Sequence, residues 1–477
     1  MASGRPAMPS AAYGMLPVPR AVDIILSRTW VLPSETIAYD AALQRVIASD
    51  VSSPVPVPSY RASIKDGYAV RSSDGPGSYP VAFEAFAGAA PGALPAGAVA
   101  YVGTGGPVPE GADAVVQVED VTFLEAKAGD GRAWIEYSRS LSPGEDVRQI
   151  GSDVAQGEVV LPAGTLVGPA EVGILASVGA VRVEARRRPR VGVLSTGDEV
   201  YPPETASVPA GGVRDANRAA LLALARAAGA EVVDLGIARD EREATRAAVQ
   251  RALDEDLDVL LVSGGVSMGA KDHVKPVLEE KAAKVHFGKV KMKPGKPLTF
   301  AEIPKRPARR AEEAEEASAS GSETLAPGSA LLAFGLPGNP VSSVVTFQLA
   351  VLPALRKLAG WASPRLRRVH VTTADAIKMD PVRPEYRRAV ARWEPDRLAA
   401  DAARDASGSA LRAGRLVAAS TGGQISSRML SLRSANVLLE IPTGTGAIPK
   451  GTVVSALVVG DLGAAPYVDD VPTTPGF

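Results

Sequence analysis

The sequence predicts a multidomain protein: a central α/β domain with a doubly wound, mostly parallel sheet, flanked by β-rich segments and closed by a small β-barrel. Three observations predict it. A chain of 477 residues exceeds what one hydrophobic core organises, so three or four domains are expected. From Arg190 to about residue 361, short apolar runs alternate with amphipathic helical windows, the signature of strand–helix–strand units. On either side the text is Val-rich, cut by Gly and Pro, and strand-like.

Taken in order, residues 1–17 are rich in Pro and Ala with no apolar h-region, so they read as a disordered lead-in rather than a signal peptide. Two helices, "PRAVDIILSRTW" and "YDAALQRVIASD", are expected within 18–52. Pro54, Pro56 and Pro58 then force extended chain. Residues 53–149 read as a β-rich inserted domain. Residues 150–187, with a helix over "GPAEVGILASVGA", complete an elongated linker domain begun by 18–52.

The α/β domain is placed at 188–361. "RVGVLSTGDEV", "EVVDLGIARD", "DVLLVSGG", "KVHFGKVKMK", "KPLTFAEI" and "SALLAFGLPG" are its strands. "DANRAALLALARAAGA" is a helix with Asp215 or Asn217 as its N-cap and Gly229 as its stop. Further helices are "EREATRAAVQRALDEDL", "AKDHVKPVLEEKAA" and the segment opened by Asn339 and Pro340. Residues 304–328 are charged, then Ser/Gly-rich, and read as a disordered insertion. Residues 362–462 return to β-text, expected as the barrel, and 463–477 read as a tail.

Composition removes several functions. Net charge is −1 and the pI about 6.4, which argues against a nucleic-acid binder. With no Cys there are no disulfides, thiolate nucleophiles or Cys-ligated metals. Only His273, His286 and His370 are present, which disfavours a three-His metal site or a Ser-His-Asp triad. No apolar run approaches the roughly 18 residues that cross a bilayer, so no membrane partner and a cytoplasmic location are expected. Any chemistry must rest on carboxylates, lysines, arginines and bound ions.

Such groups gather at the strand ends. The first α/β strand ends in Ser195-Thr196-Gly197-Asp198-Glu199, the second near Asp240, the third in "SGGVSMGAKD" and the last in "GLPGNP". Doubly wound sheets bind ligands outside the carboxyl ends of their strands, and Gly-rich turns there offer N–H groups to oxyanions. Ser195, Thr196, Gly264, Gly265, Ser267, Pro337 and Gly338 are therefore candidate substrate contacts. Glu199, Asp240 and Asp272 add carboxylates, which beside phosphates point to Mg²⁺. The stretch "GKVKMKPGKPLTF" puts Lys289, Lys291 and Lys293 on one strand face and Lys296 beyond a Pro-Gly turn. Taken alone, it fits a blunted edge strand or an anion site equally well.

Six motifs in order, "SIKDGYAV", "GTGGPVPEGADAVVQVED", "LSTGDEV", "SGGVSMGAKD", "KPGKPLTF" and "GLPGNPVSS", resemble the molybdopterin molybdenumtransferase family, the MoeA, gephyrin E-domain and plant molybdenum-insertase type. The resemblance runs from about residue 18 to 462. It implies an α/β domain of molybdopterin-binding type. It also implies a molybdenum insertase that takes adenylyl-molybdopterin and molybdate with Mg²⁺ and releases AMP. Lys289, Lys293 and Lys296 then look like anion-binding lysines, and Asp240 and Asp272 like the Mg²⁺ carboxylates that act with Lys296 in catalysis. Glu199 matches a site acid. Asp66 and Thr104, with Asp153, look like substrate contacts from the β-rich half that act across a homodimer. Arg388 and Ser426 look like molybdate contacts beside Lys293 and Lys296. Relatives often carry an acid where this chain has Ala270, which leaves the number of metal-side carboxylates open.

The resemblance also implies a partner upstream in the pathway, a molybdopterin adenylyltransferase domain or protein. Two other functions stay open at this point. The adenylyltransferase itself shares the α/β block but lacks flanks like 18–187 and 362–462. A gephyrin-type dimeric scaffold could lose the site charges that this chain keeps. A nucleotide oxidoreductase is disfavoured, because "STGDEV" stands where its GxGxxG would be.

Overall fold

The alternation that begins at Arg190 folds into a seven-stranded sheet. The computed structural model describes residues 14–88, 90, 92–125, 131–265, 273–281, 283–305, 328–395 and 414–462. The expected contacts Ser267 and Asp272 lie outside the described residues. So do Ala270, most of the 304–328 insertion, the first thirteen residues and the tail from 463.

The strands are β1 (Leu16–Pro17), β2 (Arg190–Thr196), β3 (Glu231–Ala238), β4 (Val259–Ser263), β5 (Lys284–Lys291), β6 (Pro297–Pro304) and β7 (Ala330–Leu336), in the order β1-β5-β6-β7-β4-β2-β3. The sheet is parallel except at β6, which runs antiparallel to both neighbours. A hairpin at residues 292–296 makes that exception.

Both faces of the sheet are covered, which is why its central strands read as continuous apolar runs. Val191, Val193, Val259, Leu261, Leu332 and Phe334 face one core cluster, and Leu194, Leu260, Val262, Leu331 and Ala333 face the other. Each of these Val, Leu and Phe side chains contributes about 1.5–3 kcal/mol when fully buried. On the first face lie helices α1 (Val18–Arg28) and α2 (Ala216–Ala227), and on the second α3 (Arg242–Asp254) and α4 (Val274–Glu280).

The helix Pro340–Leu358 also lies on the first face, and its turn widens over Phe347–Val351. Pro353 has no N–H to give the Leu349 carbonyl, and the wide turn lies where that bond is missing. By length and composition this helix could cross a membrane, contrary to the expectation that no apolar run is long enough. Yet 72% of its apolar window is buried inside the protein, as in a core helix.

The chain forms two compact units, Met1–Pro33 with Arg186–Phe477, and Ser34–Ala185. Helix α1 was expected with the linker domain at 18–52, but it packs on the α/β sheet. Its stripe of Val18, Ala21, Val22 and Ile25 belongs to the same cluster as Val191 and Phe334. The second helix expected there does not form. Only a short 3₁₀ turn covers Tyr39–Ala42, and then Gln44 adopts φ 62°. Val46 and Ile47 pair with Leu166 and Ala185 instead. β-branched residues next to a positive φ favour extended pairing over a helix.

Within the first unit the expected barrel is present and has five strands, Arg368–Thr373, Glu385–Pro395, Gly414–Ser420, Val437–Ile441 and Val453–Val458. The second unit centres on a six-stranded sheet built from Gly67–Val70, Gly77–Ala85, Val99–Val102, Ala114–Gln117, Val121–Leu124 and Trp134–Tyr137. Its helix Pro169–Ser177 falls inside the predicted window.

Candidate functional site: a cleft at the strand ends

The carboxyl ends of β2, β4 and β7 open on a cleft of about 780 Å³. Ser195, Thr196 and Glu199 line it from β2, and Asp240 from the end of β3. Gly264 and Gly265 line it from β4, and Pro337 and Gly338 from β7. Eight of the predicted contacts thus share one wall. Close packing of the turns explains Gly264. A Cβ on Gly264 would sit 2.8 Å from the Thr196 carbonyl oxygen, at φ +88°, whereas one on Gly338 would lie at an ordinary 3.8 Å from the Gly264 Cα.

The acids are placed by backbone bonds. Asp240 N–H donates to the Asp198 carboxylate at 3.1 Å, and Arg239 donates to the Asp198 carbonyl at 2.9 Å. Glu199 and Asp240 are oxygen donors of the kind that Mg²⁺ takes, one or two at a time, together with substrate phosphates. Among the described residues no group of three or more metal-binding side chains occurs.

The start of α2 ties the wall together. Asp215 is the N-cap, accepting from Arg218 N–H at 3.0 Å, and is almost fully buried. Its carboxylate also accepts the Ser195 hydroxyl at 3.0 Å and the Arg218 Nε at 2.9 Å. Asn217 Nδ2 donates to Ser263 Oγ at 2.7 Å and to the Gly338 carbonyl at 2.8 Å. The sequence reading offered Asp215 and Asn217 as caps and missed their contact with the cleft. Ser263, Arg214, Ser342 and Ser427 also line it unpredicted. Only the adjacency of Ser263 to the Gly pair could have signalled any of them.

The lysines divide into two kinds. Strand β5 buries Phe287 and Val290, and Met292 just beyond it, while Lys289 is half-buried and Lys291 exposed. Leu16–Pro17 pair with Val290–Lys291, so the lysine end is not a bare edge. Among the described residues Lys289, Lys291 and Lys296 make no ion pair. Lys293 faces acids from the barrel, Asp380 at 3.5 Å and Glu385 at 3.8 Å. Its backbone is held as well: Lys293 N–H donates to the Pro384 carbonyl and Tyr386 N–H to the Lys293 carbonyl.

Asp380 is held below the usual carboxylate range, first by the N–H groups of Val382 and Arg383, then by Lys293. A depressed folded pKa stabilises the fold above the unfolded value, and that stability is lost as pH falls through the folded one. Asp380→Ala is therefore expected to lower stability at pH 7 by about 0.5–1 kcal/mol, with the difference closing as pH falls below the usual carboxylate range. Chemical denaturation of both proteins across that range checks it.

Arg388 is fully buried in the barrel wall. Its Nε and Nη2 reach Ser431 Oγ at 3.3 and 3.1 Å, while Nη1 has no hydrogen-bond partner. Burial pushes its pKa down to about 10. Ser426 gives its carbonyl to Val341 N–H at 3.0 Å, and it is the next residue, Ser427, that lines the cleft.

In the second unit Asp66 accepts the Thr104 N–H at 2.6 Å and the Thr104 hydroxyl at 2.8 Å. These two bonds hold its carboxyl below the usual range. Asp153 is paired with Arg148.

A doubly wound sheet that gathers Gly turns, carboxylates and a helix start at its strand ends, carrying a barrel with a buried arginine, defines an α/β protein of several domains with a polar ligand cleft. Known proteins narrow this. The family described as "MoeA N-terminal region (domain I and II)" matches residues 16–179, "Probable molybdopterin binding domain" 192–357, and "MoeA C-terminal region (domain IV)" 370–459. The molybdopterin molybdenumtransferase of Haemophilus influenzae is 38% identical over 339 residues, 69% of this chain and 75% of that protein. Gephyrin of Dictyostelium discoideum is 35% identical over 487 residues, and the alignment takes in 95% of this chain but 63% of gephyrin's length. The crystal structure of the molybdopterin biosynthesis moea protein from Pyrococcus horikosii superposes with a TM-score of 0.69 at 25% identity, covering 93% of this chain and 99% of that one. The chain belongs to the molybdopterin molybdenumtransferase (MoeA) family.

Proposed function

We propose that the protein inserts molybdenum into molybdopterin: adenylyl-molybdopterin and molybdate give molybdenum-molybdopterin and AMP. The observation that carries this reading is the cleft itself. Gly turns from two strands, a helix start and two carboxylates line one wall, and the chain is 38% identical to a molybdopterin molybdenumtransferase. In this reading the turns at Gly264–Gly265 and Pro337–Gly338, with Thr196, hold the phosphates, and Ser195 lines the cleft beside them. Lys293, Lys296, Arg388 and Ser426 hold molybdate and offset its charge, and Lys289 is an anion-binding contact to the substrate. Ser267 adds a further substrate contact, and Asp66, Thr104 and Asp153 are substrate contacts that act in trans across the homodimer. Asp240, with Glu199 near it and Asp272 as the second carboxylate, would hold Mg²⁺, which supplies Lewis-acid polarisation of a phosphate oxygen. The phosphoanhydride breaks on attack by a molybdate oxygen or by water, and AMP leaves.

Purified protein given adenylyl-molybdopterin is expected to release AMP only when molybdate is added. Release that ignores molybdate, or none at all, would overturn the reading. Synthesis of the adenylate from ATP and molybdopterin would favour the adenylyltransferase instead. The protein is further proposed to be a cytoplasmic homodimer supplied by a molybdopterin adenylyltransferase. Light scattering at micromolar protein should give about twice the 49.1 kDa chain mass. A monomer mass would refute the dimer.

A further inference from the structure

Two serines lie at the carboxyl ends of neighbouring strands on the cleft wall, Ser195 one residue before the end of β2 and Ser263 at the end of β4, and both are 2% exposed. Their protons go different ways. The Ser195 hydroxyl donates to Asp215, a carboxylate already facing Arg218, and a carboxylate in that setting can only accept. Ser195 therefore has no proton left for an anion and meets a ligand as an acceptor. At Ser263 the direction is reversed. The Gly338 carbonyl can only accept, so the amide nitrogen of Asn217 must face it, and that same nitrogen gives its second hydrogen to Ser263 Oγ. An Oγ that accepts a hydrogen bond still has its own O–H to give. Among the described residues that O–H meets no acceptor. The backbone beside it is already committed, because Gly264 N–H donates to the Leu336 carbonyl at 3.1 Å.

We propose that Ser263, oriented by Asn217, is the hydroxyl that donates to a phosphate oxygen of the ligand in this cleft, and that Ser195 is not. Ser263 is then a binding residue. Asn217 is a positioning residue that also fixes the distance between the Gly264–Gly265 and Pro337–Gly338 turns. The proposal rests on the reading of the cleft as a nucleotide-phosphate site and deepens it by assigning the proton.

The test is titration calorimetry with AMP and, as the phosphate-free probe, adenosine. Ser263→Ala is expected to bind AMP about 10-fold more weakly, as for one lost hydrogen bond to a charged oxygen, and adenosine as the parent does. Ser195→Ala should change AMP affinity by less than about 2-fold. Asn217→Leu should weaken AMP alone, and the double variant with Ser263→Ala should bind no more than about 2-fold more weakly than Ser263→Ala, because the two share one bond. Losses that multiply, or adenosine binding that falls with Asn217→Leu, would assign Asn217 a merely structural part and overturn the priming. A Ser263→Ala protein that binds AMP like the parent overturns the proposal while the cleft reading stands. A parent that binds neither probe overturns both.

Discussion

Lys296→Ala is expected to bind molybdate roughly 10- to 150-fold more weakly than the parent, a loss of about 1.5–3 kcal/mol for one charge-assisted contact. Its melting temperature should stay close to the parent's. The structure supports that separation. Lys296 is exposed and makes no ion pair among the described residues, so removing it disturbs no native partner. An exposed substitution of that kind shifts stability by under about 0.5 kcal/mol. Lys293→Ala is the contrast, because Lys293 faces Asp380 and Glu385, and Glu385 is 2% exposed. Removing Lys293 leaves the buried Glu385 carboxylate with only Arg387, at 3.5 Å, so that variant should lose stability as well as affinity. Molybdate titration and thermal denaturation of both variants check the pair. If Lys296→Ala binds molybdate like the parent, the "KPGKP" turn is not the oxyanion site.

Arg388→Met is expected to keep the parent's stability or gain up to about 2 kcal/mol, while molybdate affinity falls at least about tenfold. The guanidinium is fully buried, its Nη1 has no hydrogen-bond partner, and burial holds its pKa down to about 10. A basic group whose folded pKa lies below its unfolded one costs stability at neutral pH. That cost is relieved only as pH rises through about 10. Replacing the charge by an apolar side chain of similar length removes the cost, against the loss of its bonds to Ser431. A buried donor left unpaired is what an arriving oxyanion would satisfy. Urea denaturation and molybdate titration test the two halves. A stability loss beyond about 1 kcal/mol would make Arg388 a structural residue.

Much of the α/β unit was legible because its signals are local. Continuous apolar runs such as "VLLVS" announce strands buried on both faces, and Gly and Asp after them mark the turns at the strand ends. The placement of Ser195, Glu199, Asp240 and Gly264 on one wall followed from topology alone. What escaped depends on pairing at a distance. Nothing near Lys293 in sequence shows that Asp380 and Glu385 would reach it. The helix expected over residues 39–50 failed for the same reason, since Val46 and Ile47 take partners more than a hundred residues away. Asn217 could be recognised as a helix-start residue, but its bonds to Ser263 and Gly338 exist only once three strands lie side by side.

The backbone ladder between the lysine hairpin and the barrel bears on how such a chain can be cut and rejoined. Pro384 and Tyr386 bond to Lys293 on both sides, and the Ser426 carbonyl receives Val341 N–H at the helix that follows the last strand. The barrel is therefore part of the scaffolding of its neighbour, and a gene fragment ending after residue 361 would release the hairpin and the helix start together. Transplanting the α/β segment into another protein, or swapping barrels between relatives, has to carry both seams along. The unit that can be inherited or engineered as one piece is the sheet with its barrel.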